Sequence, residues 1–187
     1  MKHAAPFLCA IALTAPAAAA DSYTIDPRHT YPVFEINHLG FSTQRGRFTK
    51  SSGKIVLDPA AKSGRVEVSI DANSIDMGFE EWNKHMRGPD YFNTDKFPTI
   101  TFTADKLAFA GDDPSTVQGS LTLLGETRPV SLQVTAFKCA IEPITRKAKC
   151  GADVVASLKR SEFGMKRLVP YIGDEVKIVF GIEAYKD

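Results

Sequence analysis

The feature of this sequence that most restricts its fold is a two-residue alternation of apolar and polar side chains. Val66, Val68 and Ile70 alternate with charged or hydroxyl-bearing neighbours, the pattern of a strand buried on one face. The other residues of the inner-facing series are Phe34, Ile36 and His38; Ile55 and Leu57; Ile100, Phe102 and Ala104; Leu121 and Leu123; Val130, Leu132, Val134 and Ala136; Val154, Ala156 and Leu158; and Val176, Ile178, Phe180, Ile182 and Ala184. The sequence therefore predicts an all-β protein.

Turn-forming residues divide this pattern into about eight strands. Examples are Asp58-Pro59, Gly111-Asp112, Gly125-Glu126 and Gly173-Asp174. Many short strands with few helices favour a barrel or a sandwich. No repeat, low-complexity tract or linker interrupts the series, so we expect a single domain.

One segment departs from the alternation and predicts a short helix. Between Gly78 and Gly88, Phe79, Trp82 and Met86 have the spacing of one helical face. Such a helix is expected to bury its apolar stripe as a plug on one end of the sheet structure. The alternative is a movable lid.

The N-terminus has the pattern of a secretory signal peptide. Lys2 and His3 precede an apolar run over 7–13, and three alanines precede Asp21. We therefore expect a signal peptide at 1–20, a mature domain at 21–187 and a periplasmic location; the alternative is a retained N-terminal anchor.

Removal of that segment would leave two cysteines, Cys139 and Cys150. An even pair in an oxidising compartment predicts a disulfide, which here would close a hairpin. Since the sequence has no Cys-x-x-Cys and no histidine close to either residue, a structural bridge is favoured over a redox or metal role.

An ordered set of short motifs gives the chain a family resemblance. The motifs are Tyr23-Thr24-Ile25-Asp26-Pro27-Arg28-His29-Thr30, Val33-Phe34-Glu35-Ile36-Asn37-His38-Leu39-Gly40, Gly46-Arg47-Phe48, Ser74-Ile75-Asp76, Asp90-Tyr91-Phe92-Asn93, Phe97-Pro98-Thr99-Ile100-Thr101-Phe102, Gly119-Ser120-Leu121-Thr122-Leu123-Leu124-Gly125 and Arg160-Ser161-Glu162-Phe163-Gly164-Met165. In this order they resemble the YceI-like family of secreted bacterial lipid-binding proteins, over nearly all of 21–187. Thr30 and Leu124 depart from the residues common in that family.

The resemblance implies a lipocalin-like, eight-stranded antiparallel barrel that holds a long isoprenoid, such as a polyprenyl phosphate or a quinone tail. The residues alone leave the interior undecided, because a barrel of this size is either filled by its own side chains or holds one small ligand. A filled barrel would favour a secreted adaptor or stress protein without a lipid. The supply of aromatic residues, with 12 Phe and 5 Tyr, favours a cavity.

Fourteen residues are predicted to line the ligand site or its entrance: Phe34, Ile36, His38, Phe41, Phe48, Trp82, Met86, Phe92, Phe97, Ile100, Phe102, Arg160, Phe163 and Met165. His38 and Arg160 share the inward parity of apolar neighbours, and we expect one or both to contact the polar head of the ligand. The alternative is that they bond a backbone carbonyl or a carboxylate such as Asp26.

Other functions have weaker support. The balance of 23 basic and 22 acidic residues does not favour nucleic-acid binding. No nucleophile motif, nucleotide loop or metal-ligand spacing is present, so we expect neither an enzyme, nor a metal, nor a cofactor beyond the bound lipid. A secreted hydrolase or redox enzyme is the less favoured alternative. A monomer or a homodimer is compatible with the sequence. Three basic runs are candidates for transient membrane contact: Arg45, Arg47 and Lys50; Arg146, Lys147 and Lys149; and Lys159, Arg160, Lys166 and Arg167.

Overall fold

A computed structural model describes residues 20–187, which form eleven strands and one α-helix. The predicted signal peptide therefore lies, except for its last residue, outside the described residues. The described part of the chain contains no helix that is long and apolar enough to cross a membrane. The elements are β1 (Asp21–Ile25), β2 (Val33–His38), β3 (Ser42–Phe48), β4 (Ser51–Asp58), β5 (Ser63–Asp71), β6 (Ile75–Asp76), α1 (Glu80–Arg87), β7 (Thr99–Ala110), β8 (Asp113–Leu123), β9 (Glu126–Ile141), β10 (Ala148–Lys159) and β11 (Ile172–Lys186).

All strand pairs are antiparallel, and the sheet closes on itself through β11. The first half of β11 pairs with β2 and its last residues pair with β1. In the same way β2 pairs with β3, and β1 pairs with β4. β1 and β2 together therefore form one strand of the barrel, and β3 and β4 together form the next. Counted in this way the sheet is a closed eight-stranded barrel, which confirms the expected fold.

The predicted alternation sets the barrel's inner face. Val66 and Val68 of β5 lie opposite Ala104 and Phe102 of β7, and all four side chains are buried. Their burial, repeated around the barrel, supplies much of the stabilisation, at about 25 cal/mol for each Å2 of apolar surface removed from water.

The prediction is wrong at one position of β9. Opposite the step from Asp153 to Val154 of β10, β9 contains one additional residue, Thr135, whose hydroxyl donates to the Asp153 carbonyl at 3.2 Å. This β-bulge inverts the alternation. Ala136 is consequently exposed, and Phe137 faces the interior in its place.

The predicted helix is confirmed as α1. It starts after Phe79 and ends at Gly88, and Glu80 pairs with Arg87 at 2.6 Å along its exposed side. None of its residues is fully buried, but Met86 packs against the core, and Trp82 and Met86 face a cavity inside the barrel. That the helix acts as a plug and not as a movable lid stays a prediction.

The disulfide between Cys139 and Cys150 is also confirmed. These residues lie directly opposite each other in β9 and β10, with their Cα atoms 4.1 Å apart. The bridge lies beside the loop over 142–147, and this end of the barrel is called the hairpin end below. The opposite end, where α1, the β2–β3 turn and the loop over 164–171 meet, is called the helix end.

Candidate functional site

The barrel encloses a cavity of about 680 Å3. This lies within the range of roughly 300–1,000 Å3 that is typical of ligand pockets. Strands from all sides of the barrel contribute inward side chains, and nearly all of these are aliphatic or aromatic. The interior is therefore not filled by the barrel's own residues.

The cavity extends along the strands. At the hairpin end it is lined by Cys150 and Ala184, and at the helix end by Leu158 and Ile172. From Ile172 to Ala184 the strand covers roughly 40 Å at about 3.3 Å per residue, which corresponds to roughly 30 Å along a barrel axis tilted by about 40°. This shape suits a long, thin ligand better than a compact one.

One wall of the cavity is a cluster of phenylalanines. The ring of Phe48 meets that of Phe92 edge to face at 5.2 Å, and Phe34 lies 6.3 Å from Phe48 and 6.1 Å from Phe92. Edge-to-face aromatic packing fixes the rings relative to one another. The cluster therefore offers a rigid apolar surface to a guest.

Polar side chains line the cavity at the helix end. They are His38, Gln44, Glu81, His85 and Arg160. The His38 ring lies 6.2 Å from that of Trp82, and the His85 ring lies 4.8 Å from that of Tyr91. The interior of the site is thus apolar and its entrance carries polar side chains. This arrangement matches an amphiphile with an apolar tail and one polar head.

Arg160, at this entrance, is 3 % exposed and bonds the backbone. Its Nε donates to the carbonyl of Gly173 at 2.8 Å and its Nη1 to that of Met165 at 3.1 Å. Its Nη2 donates to Arg167 and Ile172 at 2.9 and 3.0 Å. Burial lowers the pKa of the guanidinium, and the carboxylate of Asp174 opposes that shift. The structure therefore agrees with the alternative in which Arg160 bonds carbonyls, here fixing the loop before β11.

The structure brings eleven of the fourteen predicted site residues to the cavity wall: Phe34, Ile36, His38, Phe48, Trp82, Met86, Phe92, Ile100, Phe102, Arg160 and Met165. The other three do not line it. Phe41 is 88 % exposed on the β2–β3 turn, Phe97 packs against Gly125, and Phe163 is completely buried in the turn after β10. That any of the fourteen binds a ligand stays a prediction.

The sequence reasoning missed several lining residues. Tyr23 and Tyr91 line the cavity but are absent from the predicted set, although both lie in the motifs of the family resemblance. Phe137 was missed because of the bulge, and Leu168 because it lies in a loop without periodicity.

A separate charged cluster lies at the junction of β1 and β2. The buried carboxylate of Asp26 accepts from the Arg28 backbone N–H at 3.1 Å, pairs with His29 Nδ1 at 2.7 Å and accepts from Lys149 Nζ at 3.3 Å. Burial raises the pKa of Asp26, but the hydrogen bonds from His29, Arg28 and Lys149 outweigh it and hold that pKa well below its ordinary range.

Asp26, His29 and Glu183 have ligand atoms within 4.8 Å of one another. This spacing would suit a metal ion. However, the Lys149 ammonium bonds both Asp26 and Glu183 and already provides the positive charge. We therefore interpret the cluster as a structural ion pair that joins β1 to β10 and β11.

Comparison with known proteins gives consistent results. A family model described as the YceI-like domain matches residues 23–184. A UPF0312 protein of Pseudomonas aeruginosa is 33% identical over 176 residues, covering 92% of this chain and 91% of the relative. The protein YceI of Escherichia coli is 33% identical over 175 residues, covering 91% and 90%.

Two solved structures show the same fold. BcnA of Burkholderia cenocepacia is 27% identical, with a TM-score of 0.71 over 86% of this chain and 99% of its own. A domain of Saccharophagus degradans described as polyisoprenoid-binding is 18% identical, with a TM-score of 0.64 over 88% and 98%. At that identity the second likeness concerns the fold alone.

Proposed function

Because the chain belongs to the YceI-like family, we propose that it binds and carries one long isoprenoid lipid inside its barrel, without changing it chemically. The ligand classes that fit are a polyprenyl phosphate and an isoprenoid quinone. The description of the Saccharophagus degradans domain as polyisoprenoid-binding supports this ligand class.

The observation that carries the proposal is the polarity of the elongated cavity. Its apolar wall extends from Ala184 to Ile172, and its polar residues collect at the helix end. Each methylene group removed from water contributes about 0.8 kcal/mol, so ten such groups contribute about 8 kcal/mol before ordering costs. Burial of the isoprenoid tail thus supplies the main driving force for binding.

The proposal does not require a reaction. The polar residues at the entrance are two histidines, a glutamine, a glutamate and an arginine whose guanidinium already bonds four carbonyls. No serine, threonine or cysteine lies among these entrance residues as a nucleophile for His38 or His85 to activate. The predicted signal peptide at 1–20 supports placing this carrier in the periplasm.

The first test is recovery of the ligand. Protein purified from its own host is analysed by native mass spectrometry and then extracted with organic solvent. We expect an adduct whose mass matches one isoprenoid per chain. Protein that is free of lipid and binds no added quinone or polyprenyl phosphate would contradict the proposal.

The second test fills the cavity. Ala156 faces the lumen at the middle of β10, and its neighbour Ser157 is exposed on the outer face. Ala156→Trp is expected to weaken isoprenoid binding at least about tenfold by occupying the lumen, and Ser157→Trp to leave it unchanged. Equal affinity in both variants would place the ligand elsewhere.

A further inference from the structure

The helix end of the barrel exposes an unusual number of large apolar side chains. Among the described residues, six of the nine exposed large hydrophobic side chains lie there. They are Leu39, Phe41, Phe79, Trp82, Leu168 and Tyr171, and we call them the apolar rim. Their exposed fractions range from 42 % for Trp82 to 88 % for Phe41.

The rim is one continuous surface. The Leu39 backbone N–H donates to the Tyr171 carbonyl at 3.1 Å, which joins the β2–β3 turn to the loop before β11. His38, the residue before Leu39, lies beside Trp82 of α1, with 6.2 Å between the rings. Three segments distant in sequence thus present their apolar side chains side by side.

Two turns at the helix end hold a leucine in a backbone conformation that leucine rarely adopts. Leu39 has a φ of 57° and Leu168 a φ of 59°, a left-handed conformation that Gly or Asn adopts more readily. Both leucines are also half exposed. Leu168 also lines the cavity, but neither local backbone preference nor packing explains an apolar residue at position 39, whereas contact with an apolar partner does.

The rim is continuous with the cavity. Phe79, Trp82 and Leu168 are exposed to solvent and also line the lumen. An apolar strip beside the polar residues of the entrance therefore connects the interior of the barrel with the outer surface. A partner covering this surface would meet the entrance of the proposed ligand site.

We infer that the apolar rim inserts into the surface of a phospholipid bilayer, so that the cavity opens directly into the lipid. This inference rests on the proposed function, because it describes how an isoprenoid would enter without crossing water. Trp, Tyr and Phe favour the boundary between headgroups and acyl chains. This rim contains all three residue types.

The charges near the rim agree with a neutral bilayer surface. Arg167 pairs with Asp90 at 3.2 Å and Arg87 with Glu80 at 2.6 Å, so charges of both signs compensate each other. In the first predicted basic run, Arg45 pairs with Glu35 at 2.8 Å. The attraction therefore comes from apolar insertion, and it needs little anionic lipid.

The test places a single tryptophan on the rim but outside the cavity. Trp82 is the only tryptophan of the chain, and Phe41 does not line the lumen. Phe41→Trp in a Trp82→Phe background reports on the rim. Ile144→Trp in the same background is the matched control, because Ile144 is 87 % exposed on the hairpin over 142–147. Vesicles of phosphatidylcholine, with and without bromine on the acyl chains, provide the membrane.

With vesicles, we expect the fluorescence emission of tryptophan at position 41 to shift to shorter wavelength and to be quenched when the acyl chains are brominated. The emission of tryptophan at position 144 should neither shift nor be quenched. This readout locates the inserted surface regardless of any binding by residues before 20. No quenching at 41, or equal quenching at both positions, overturns the inference. A blue shift at 41 without vesicles, together with a dimer in sedimentation, would assign the rim to a second copy of the chain and also overturns it.

A transfer experiment separates this inference from the proposed function. Phe41→Ser with Tyr171→Ser removes two rim side chains that lie outside the cavity. This variant should extract a fluorescent isoprenoid from vesicles at least about tenfold more slowly, yet bind it from a cyclodextrin complex with parental affinity. An unchanged extraction rate overturns the inference. If the parent protein does not bind the isoprenoid from the cyclodextrin complex, the proposed function is wrong. The quenching experiment still tests whether the rim inserts into the bilayer.

Discussion

The ammonium of Lys149 lies 3.3 Å from the buried carboxylate of Asp26, and this contact joins two residues that are 123 positions apart in the sequence. Asp26 follows β1, and Lys149 lies in β10, with β11 between them. The pair therefore holds the first strand of the barrel against the last two. It lies outside the cavity, so its contribution is to stability and not to ligand binding.

Replacement of Asp26 is expected to destabilise the barrel in a pH-dependent way. Asp26→Asn removes the buried carboxylate that bonds Lys149 and His29 and leaves Glu183 as the remaining carboxylate partner of Lys149, at a cost of about 1–3 kcal/mol near neutral pH. Because the folded state lowers the pKa of Asp26, the carboxylate stabilises the fold above its unfolded pKa, and this stabilisation is lost as pH falls toward the folded pKa. Urea unfolding of parent and variant over a range of pH measures the difference, which should shrink below about pH 4.

Asp112→Asn is the control for that experiment. Asp112 pairs with Lys62 at 2.6 Å, but its side chain is 92 % exposed. An exposed pair contributes little, so this variant should unfold almost like the parent. If Asp26→Asn and Asp112→Asn behave alike, the interpretation of the Asp26 cluster as a structural ion pair is wrong.

Loss of Arg160 is expected to release the loop before β11. Arg160→Met removes all four hydrogen bonds to carbonyls and leaves those acceptors in a partly buried place. We expect a loss of about 3 kcal/mol or more in urea unfolding, together with faster proteolysis within 164–171. Lys159→Met, at the exposed neighbouring residue, is the control and should be close to neutral. Parental stability and protease resistance in Arg160→Met would show that the hydrogen bonds do not hold the loop.

Arg160 shows why the fold could be predicted more completely than the site. The inward parity of Arg160 with Ala156 and Leu158 follows from the strand period, and the structure confirms it. Its partners are carbonyls of a loop that has no periodicity, so the sequence left backbone and ligand as alternatives. Only the folded loop distinguishes them.

The bulge in β9 illustrates a second limit. A one-residue insertion in one of two paired strands depends on how the two segments meet, and threonine at position 135 is not a residue type that indicates a bulge. The alternation through Val130, Leu132 and Val134 therefore predicts an inward Ala136, whereas Phe137 lines the cavity. The prediction of Phe41 and Phe97 as site residues rests on their aromatic character alone, which does not distinguish a cavity wall from an exposed turn or a packed loop.

Reduction of the disulfide is expected to lower stability. Cys139 and Cys150 are separated by 11 positions, and closing a loop of this length contributes about 2–3 kcal/mol in the chain-entropy model. Thermal unfolding with and without a reductant measures this contribution. In Cys139→Ser with Cys150→Ser, the reductant should have no further effect. A parent protein that is insensitive to reductant would mean that the bridge constrains the unfolded chain little.

The contact between Gly46 and Phe34 links the strand backbone to the shape of the cavity. A Cβ at Gly46 would collide with the Phe34 ring and with Sδ of Met77, and Phe34 belongs to the phenylalanine wall. Gly46→Val should therefore push the ring into the lumen, destabilise the barrel by about 1–3 kcal/mol and weaken isoprenoid binding. Gly181→Val is the matched control in β11, because Gly181 does not line the cavity and the nearest atom to its Cβ, Asp153 Oδ1, lies at an ordinary 3.4 Å. The measurement is urea unfolding together with titration of a fluorescent isoprenoid. Parental affinity in a folded Gly46→Val protein would show that the phenylalanine wall does not touch the ligand.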